Sequence, residues 1–127
     1  MAMRGSINMR EMDRTKRRAH PRVPASVTAT IRLPEGETRT TSRLTNISLG
    51  GVFIDMDDPL AFGTELSLEF TLPSAVRTIQ CRGLVVWTSK HASRAEGKRG
   101  IGVRLMEIGI ADMRVLADYI ERSLLRL

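Results

Sequence analysis

This sequence is poor in the side chains that most enzyme chemistry needs. Cys81 is the one cysteine among 127 residues, which excludes an internal disulfide framework. It lies in "TIQCRGLVVW", where the expected role is that of a small buried hydrophobe rather than a reactive thiol. The two histidines, His20 and His91, have no partners at metal-ligand spacing, so neither a metal site nor a cofactor is expected. Neither histidine stands in a nucleophile signature and no serine occupies a nucleophile elbow, so no catalytic residue is nominated. Asp55, Asp57 and Asp58 crowd a turn before Pro59, but the glycine and distal glutamate of a calcium loop are missing. Aromatic residues are few: Phe53, Phe62, Phe70, Trp87 and Tyr119. They offer no evident stacking platform of the kind that single-stranded nucleic acid requires, and no nucleic-acid partner is expected. No apolar run nears the roughly 18 residues that span a bilayer, and the N-terminus lacks the apolar core of a signal peptide. The expectation is a cytoplasmic protein without membrane insertion and not an enzyme.

What remains is 42% hydrophobic and 27% charged, the make-up of one soluble domain. The net charge of +6 is unevenly placed: seven basic and two acidic residues fall within the first 22, leaving that segment at +5 and the rest at +1. A nucleic-acid binder spreads its charge over a face of the fold; here it is concentrated in an arm. Lys16, Arg17, Arg18 and Arg22 crowd into "TKRRAHPRVP". Locally this fits a solvated tail, a polyanion-binding arm or a clamp for a small phosphorylated ligand. Arginine forks take phosphate oxygens in pairs or stack on purines, and Pro21 stiffens the chain between Arg18 and Arg22.

From Ala25 the pattern turns to period two. Val27, Ala29, Ile31 and Leu33 share one face, as in a half-buried strand. "PEGE" is turn chemistry, and the Thr-rich "TRTTSRLTN" can return as a second strand. Val52–Ile54, then Leu66, Leu68, Phe70 and Leu72, then "RTIQCRGLVVW", with Gly83 marking a bulge, and "GIGVRLM" complete about six strands. The period then changes: Ile110, Met113, Leu116, Ala117, Ile120 and Leu124 recur at helical spacing. The expected fold is mainly β, a six-stranded antiparallel barrel with a C-terminal helix. Residues 1–14 form a flexible lead, 15–24 the arginine-rich arm, 25–106 the barrel and 110–125 the helix.

"NISLGG", residues 46–51, reads in two ways. Asn and Ser bond local backbone and the glycines admit unusual dihedrals, which makes a plain turn. Equally, Asn46 offers a donor and an acceptor to a base edge and Ser48 a hydroxyl.

The ordered pair "RRAHPR" and "NISLGG" resembles the two-part RxxxR and [D/N]xSxxG signature of the PilZ domain family. Arg18 and Arg22 fit the first part and Asn46, Ser48 and Gly51 the second, while "GLVVW", "GIGVRL" and the closing helix extend the likeness over residues 14–125. The resemblance implies a stand-alone receptor for cyclic di-GMP, a bacterial second messenger. It implies that Arg18 and Arg22 grip the phosphates and guanines, that Asn46 and Ser48 bond a guanine edge or phosphate, and that Gly51 permits close approach. An arginine at position 17, just ahead of the motif, implies an intercalated pair of ligand molecules. Trp87 is either a guanine contact or a barrel aromatic. Output would pass to an unidentified downstream protein in motility, type IV pilus or exopolysaccharide control. The rival expectation is a PilZ-like adaptor that works by protein contact without ligand, although such adaptors usually lack the arginines.

Overall fold

The computed structural model describes residues 20–36, 38–91 and 99–126, with the backbone alone for 38–41 and 91. Six strands follow in order: β1 Val23–Arg32, β2 Thr38–Ile47, β3 Gly51–Asp55, β4 Glu65–Phe70, β5 Ile79–Thr88 and β6 Gly100–Ile108. The helix α1 spans Ile110–Leu125. Every neighbouring pair is antiparallel, and the order β1-β2-β3-β6-β5-β4 closes back on β1 as a barrel.

Alternation sorts the strands' side chains. Ile31, Leu44, Ile54, Leu68, Ile79, Ile101 and Leu105 point inward and are almost wholly buried. Each contributes about 1.5–3 kcal/mol relative to exposure. Bulges interrupt the alternation between Leu44 and Asn46 on β2 and between Val85 and Trp87 on β5. A third shift falls between Arg82 and Gly83, where the sequence led us to expect a bulge. β1 begins at Val23, two residues inside the expected arm, because Val23 is buried and pairs with Ile47 while Pro24 pairs with Asn46.

α1 seals one end of the barrel with Leu116 and Ile120, which are buried. Ile110 and Leu124, expected on the same apolar face, are exposed. Sixteen residues rise about 24 Å, and the face that packs on the barrel runs through Asp112, Leu116 and Ile120 rather than through Ile110 and Leu124. Asp112 in the first turn is buried. It accepts from Arg77 Nε at 2.5 Å and from the Gln80 backbone N–H at 3.2 Å, tying the helix to the 72–78 connection. A carboxylate there also meets the positive end of the helix dipole. At the other side Tyr119 donates its hydroxyl to the Pro24 carbonyl at 3.1 Å. Strand alternation therefore gathers the start of β1, the β2–β3 loop, the β4–β5 connection and α1 at one end of the barrel.

Candidate functional site

The two sequence motifs meet at that end. Pro24 pairs with Asn46 across β1 and β2, which carries the exposed Arg22 alongside the loop. Arg22 Nη1 donates to Asn46 Oδ1 at 2.6 Å. The ring of His20 packs over Gly50, where an added Cβ would stand 3.3 Å from its Cδ2. Arg17 and Arg18 lie outside the described residues.

Ser48 is engaged within the loop itself. It is buried, and its hydroxyl accepts from the backbone N–H of Gly50 at 3.2 Å and of Gly51 at 3.1 Å. Its own N–H donates to the Gly51 carbonyl at 2.8 Å. The serine thus folds the loop around itself, the plain-turn reading of the motif. Leu105 of β6 anchors the loop further by donating to the Gly50 carbonyl at 3.0 Å. Gly51 is likewise set by the barrel: a Cβ there would lie 2.5 Å from the Val103 carbonyl oxygen. Glycine at 51 is required by the close approach of β6, whatever occupies the outer surface.

Beside the loop, four strands present a continuous outward row. Asn46 pairs with Phe53, Phe53 with Gly102, and Gly102 with Trp87. Because Gly102 has no side chain, the rings of Phe53 and Trp87 meet above it, their centroids 5.6 Å apart and tilted by 47°. Offset or tilted rings at this range attract one another by about 0.5–1.5 kcal/mol beyond their buried area. Two of the sparse aromatics therefore form a small ledge. Bulges on β2 and β5 reset which residues face outward, and no period-two count locates them. Phe53 and Gly102 were missed for this reason. Arg104 was missed as well: it pairs with Gly51 and Leu84 and lies between the buried Val103 and Leu105, so it faces outward beside the loop. The surface thus brings together two guanidinium groups, a carboxamide and an aromatic ledge, which is the chemistry that holds a phosphorylated purine.

Cys81 is buried in the core and takes no part in this surface. Burial, and secondarily the charge of Asp112, push its thiol up to about 12. Among the described residues no cluster of His, Cys, Asp and Glu is arranged to hold a metal ion, and no helix is long and apolar enough to cross a membrane.

Residues 16–122 match the family model of the PilZ domain. The chain belongs to the PilZ family. No curated protein matches it by sequence. Among solved structures, this PilZ chain resembles the inhibitor of motility MotI/DgrA of Bacillus subtilis, with 27% identity and a TM-score of 0.72, covering 87% of this chain and 53% of that one. It thus spans about half the length of that protein. It also resembles the PilZ domain of YcgR from Escherichia coli, whose structure was determined with c-di-GMP. There the identity is 17% and the TM-score 0.62, covering 87% of this chain and 94% of that one. At that identity the second likeness concerns the PilZ fold alone.

Proposed function

We propose that this chain is a receptor for cyclic di-GMP that passes the signal to another protein. The observation carrying the reading is the Arg22–Asn46 contact, which joins the two halves of the PilZ signature on one surface. Arg22, together with Arg17 and Arg18 from the arm, holds the phosphates and the guanine faces. Asn46 bonds a guanine edge, Trp87 and Phe53 supply an apolar ledge for a base, and Arg104 adds a second cation beside the loop. Ser48 and Gly51 act by shaping the loop on which Asn46 is mounted. Ligand orders the arginine arm against the barrel, on which Arg22 is already seated through Asn46, and so alters the surface around the loop, a switch by ordering of a segment. Arg17 ahead of the motif favours an intercalated pair of ligand molecules. The nearly neutral barrel and the basic arm fit a cytoplasmic ligand of small size and high negative charge. The relatives, an inhibitor of motility and a ligand-bound PilZ domain of YcgR, favour an output in motility control.

Trp87 is the sole tryptophan and gives a direct readout. Titration with cyclic di-GMP should change its fluorescence saturably, while GTP, GMP and single-stranded RNA should not. The response should be lost in Arg18→Ala and Arg22→Ala. Absence of binding to the native chain would overturn the receptor reading in favour of the ligand-independent adaptor. RNA binding that weakens steeply with salt would favour a nucleic-acid partner instead.

A further inference from the structure

Among the described residues, two concavities are lined by residues other than those of the signature and the aromatic ledge. One, about 590 Å³, runs over the outer sides of β1, β4, β5 and β6. Arg32 and Arg82 line it against Glu69 and Glu107, with Arg82 and Glu107 paired at 3.4 Å, so its balanced charge favours neither an anionic nor a cationic ligand. The other, about 480 Å³, lies between the β4–β5 connection and α1, and its character is distinct. Its walls are apolar, with Leu72, Ala75, Val115 and the ring of Tyr119 among them, and Val76 stands fully exposed at its edge. Arg77, Arg122 and Arg126 rim it against the single acid Asp118.

The groove is held open by its surroundings. Asp112, buried under the first turn of α1, bonds both Arg77 and the start of β5. A carboxylate engaged through both oxygens fixes the connection to the helix more rigidly than an exposed ion pair does. The turn itself includes Ser74 at φ 67, a left-handed conformation that a non-glycine residue keeps only where its surroundings over-determine it. The cations of the rim also keep donors to offer. Arg77 and Arg122 engage Asp112 and Asp118 through Nε, and their side chains remain 54% and 67% exposed. A guanidinium has five N–H donors.

From this geometry we infer that the groove docks an acidic segment of a partner protein, one large apolar side chain entering between the turn and α1 while flanking carboxylates meet Arg77, Arg122 and Arg126. Charge argues against the other occupants. The chain's own first 22 residues carry +5, the same sign as the rim. A second copy docked symmetrically would set the same three arginines against their counterparts. The groove also has a route to the signature surface. Tyr119, which lines it, holds the carbonyl of Pro24, two residues beyond Arg22. Docking itself does not depend on the cyclic di-GMP reading; its response to ligand does.

The test is a random decapeptide display selection on the full chain, followed by fluorescence anisotropy of a labelled winner with and without cyclic di-GMP. Enriched peptides should pair Asp or Glu with a large apolar residue. Their affinity should fall at least about tenfold in the Arg122→Glu, Arg126→Glu double variant and in Val76→Asp, while the Trp87 response to cyclic di-GMP is unchanged. Tyr119→Phe should leave peptide affinity without ligand within about twofold and abolish its change on adding ligand. Failure to enrich any peptide, enrichment of neutral or basic ones, or indifference to the charge reversals overturns the proposal. Self-association in sedimentation velocity that Val76→Asp removes would assign the groove to a second copy and overturn it too. A chain that takes the acidic peptide but ignores cyclic di-GMP supports the groove and sinks the receptor reading.

Discussion

Arg22 and Asn46, 24 residues apart in sequence, share a 2.6 Å hydrogen bond from guanidinium to carboxamide. The bond is exposed, so its contribution to folding is small, and its consequence is positional. It presents the Asn46 amide group outward and sets an arginine fork beside it. Arg22→Ala and Asn46→Ala should each weaken cyclic di-GMP at least about tenfold by calorimetry while leaving the melting temperature nearly unchanged. The double variant should lose less than the sum of the two, since neighbouring residues couple.

Arg17 bears on stoichiometry rather than on affinity alone. Calorimetry of the native chain should give two ligand molecules per protomer, and Arg17→Leu should give one. A single ligand per chain in both proteins would remove this role.

The Phe53–Trp87 ledge predicts an ordered series. Phe53→Ala should red-shift Trp87 emission by exposing the indole and weaken the ligand several-fold, with Phe53→Leu between it and the native chain, as the range of about 0.5–1.5 kcal/mol for an aromatic pair implies. Gly102→Ala places a methyl 3.3 Å from the Trp87 Cβ. It should disturb the emission without unfolding the barrel. Unaltered emission in both Phe53→Ala and Gly102→Ala would show that the rings do not meet in solution.

Gly51 and Ser48 predict stability effects instead. The methyl of Gly51→Ala would fall 2.5 Å from the Val103 carbonyl oxygen, forcing β3 and β6 apart. A loss of about 1–3 kcal/mol is expected in denaturant unfolding. Ser48→Ala should lose about 1 kcal/mol as two loop N–H groups forfeit their acceptor. Any affinity lost in Ser48→Ala should therefore track loop order, seen as faster amide exchange at Gly50 and Gly51.

Cys81, with its thiol raised to about 12, should resist thiol reagents in the native protein at pH 8 and react at once in denaturant. The sign follows from linkage. The folded state holds the proton more tightly than the unfolded one, so this thiol's stabilising contribution is complete below pH 9 and is lost as pH rises toward 12. Rapid native labelling at pH 8 would contradict the burial.

Much of this molecule is legible along the chain because its strands keep strict alternation: Ala29, Ile31 and Leu33, or Leu66, Leu68 and Phe70, announce their buried face by spacing alone. The change to helical spacing at Ile110 marks α1 just as plainly, though spacing does not reveal that Ile110 and Leu124 stay exposed. The signature residues are legible as types, but their jobs are not. Ser48 carries a hydroxyl suited to a ligand or to a loop, and spacing along the chain gives no sign that the Gly50 and Gly51 N–H groups donate to it. The ledge is hidden for another reason. Phe53, Gly102 and Trp87 lie on three strands whose registers depend on bulges, and a bulge is a property of paired strands.

The closure of β4 onto β1 limits how this protein can be read by others. Among the described residues every strand has a neighbour on both sides, so strand addition by a partner is restricted to short stretches such as Val23–Thr28, which run past the pairing with β4. Most of the outer surface is therefore offered to partners as side chains, and a few surface substitutions are enough to retarget such a receptor while its interior stays as it is.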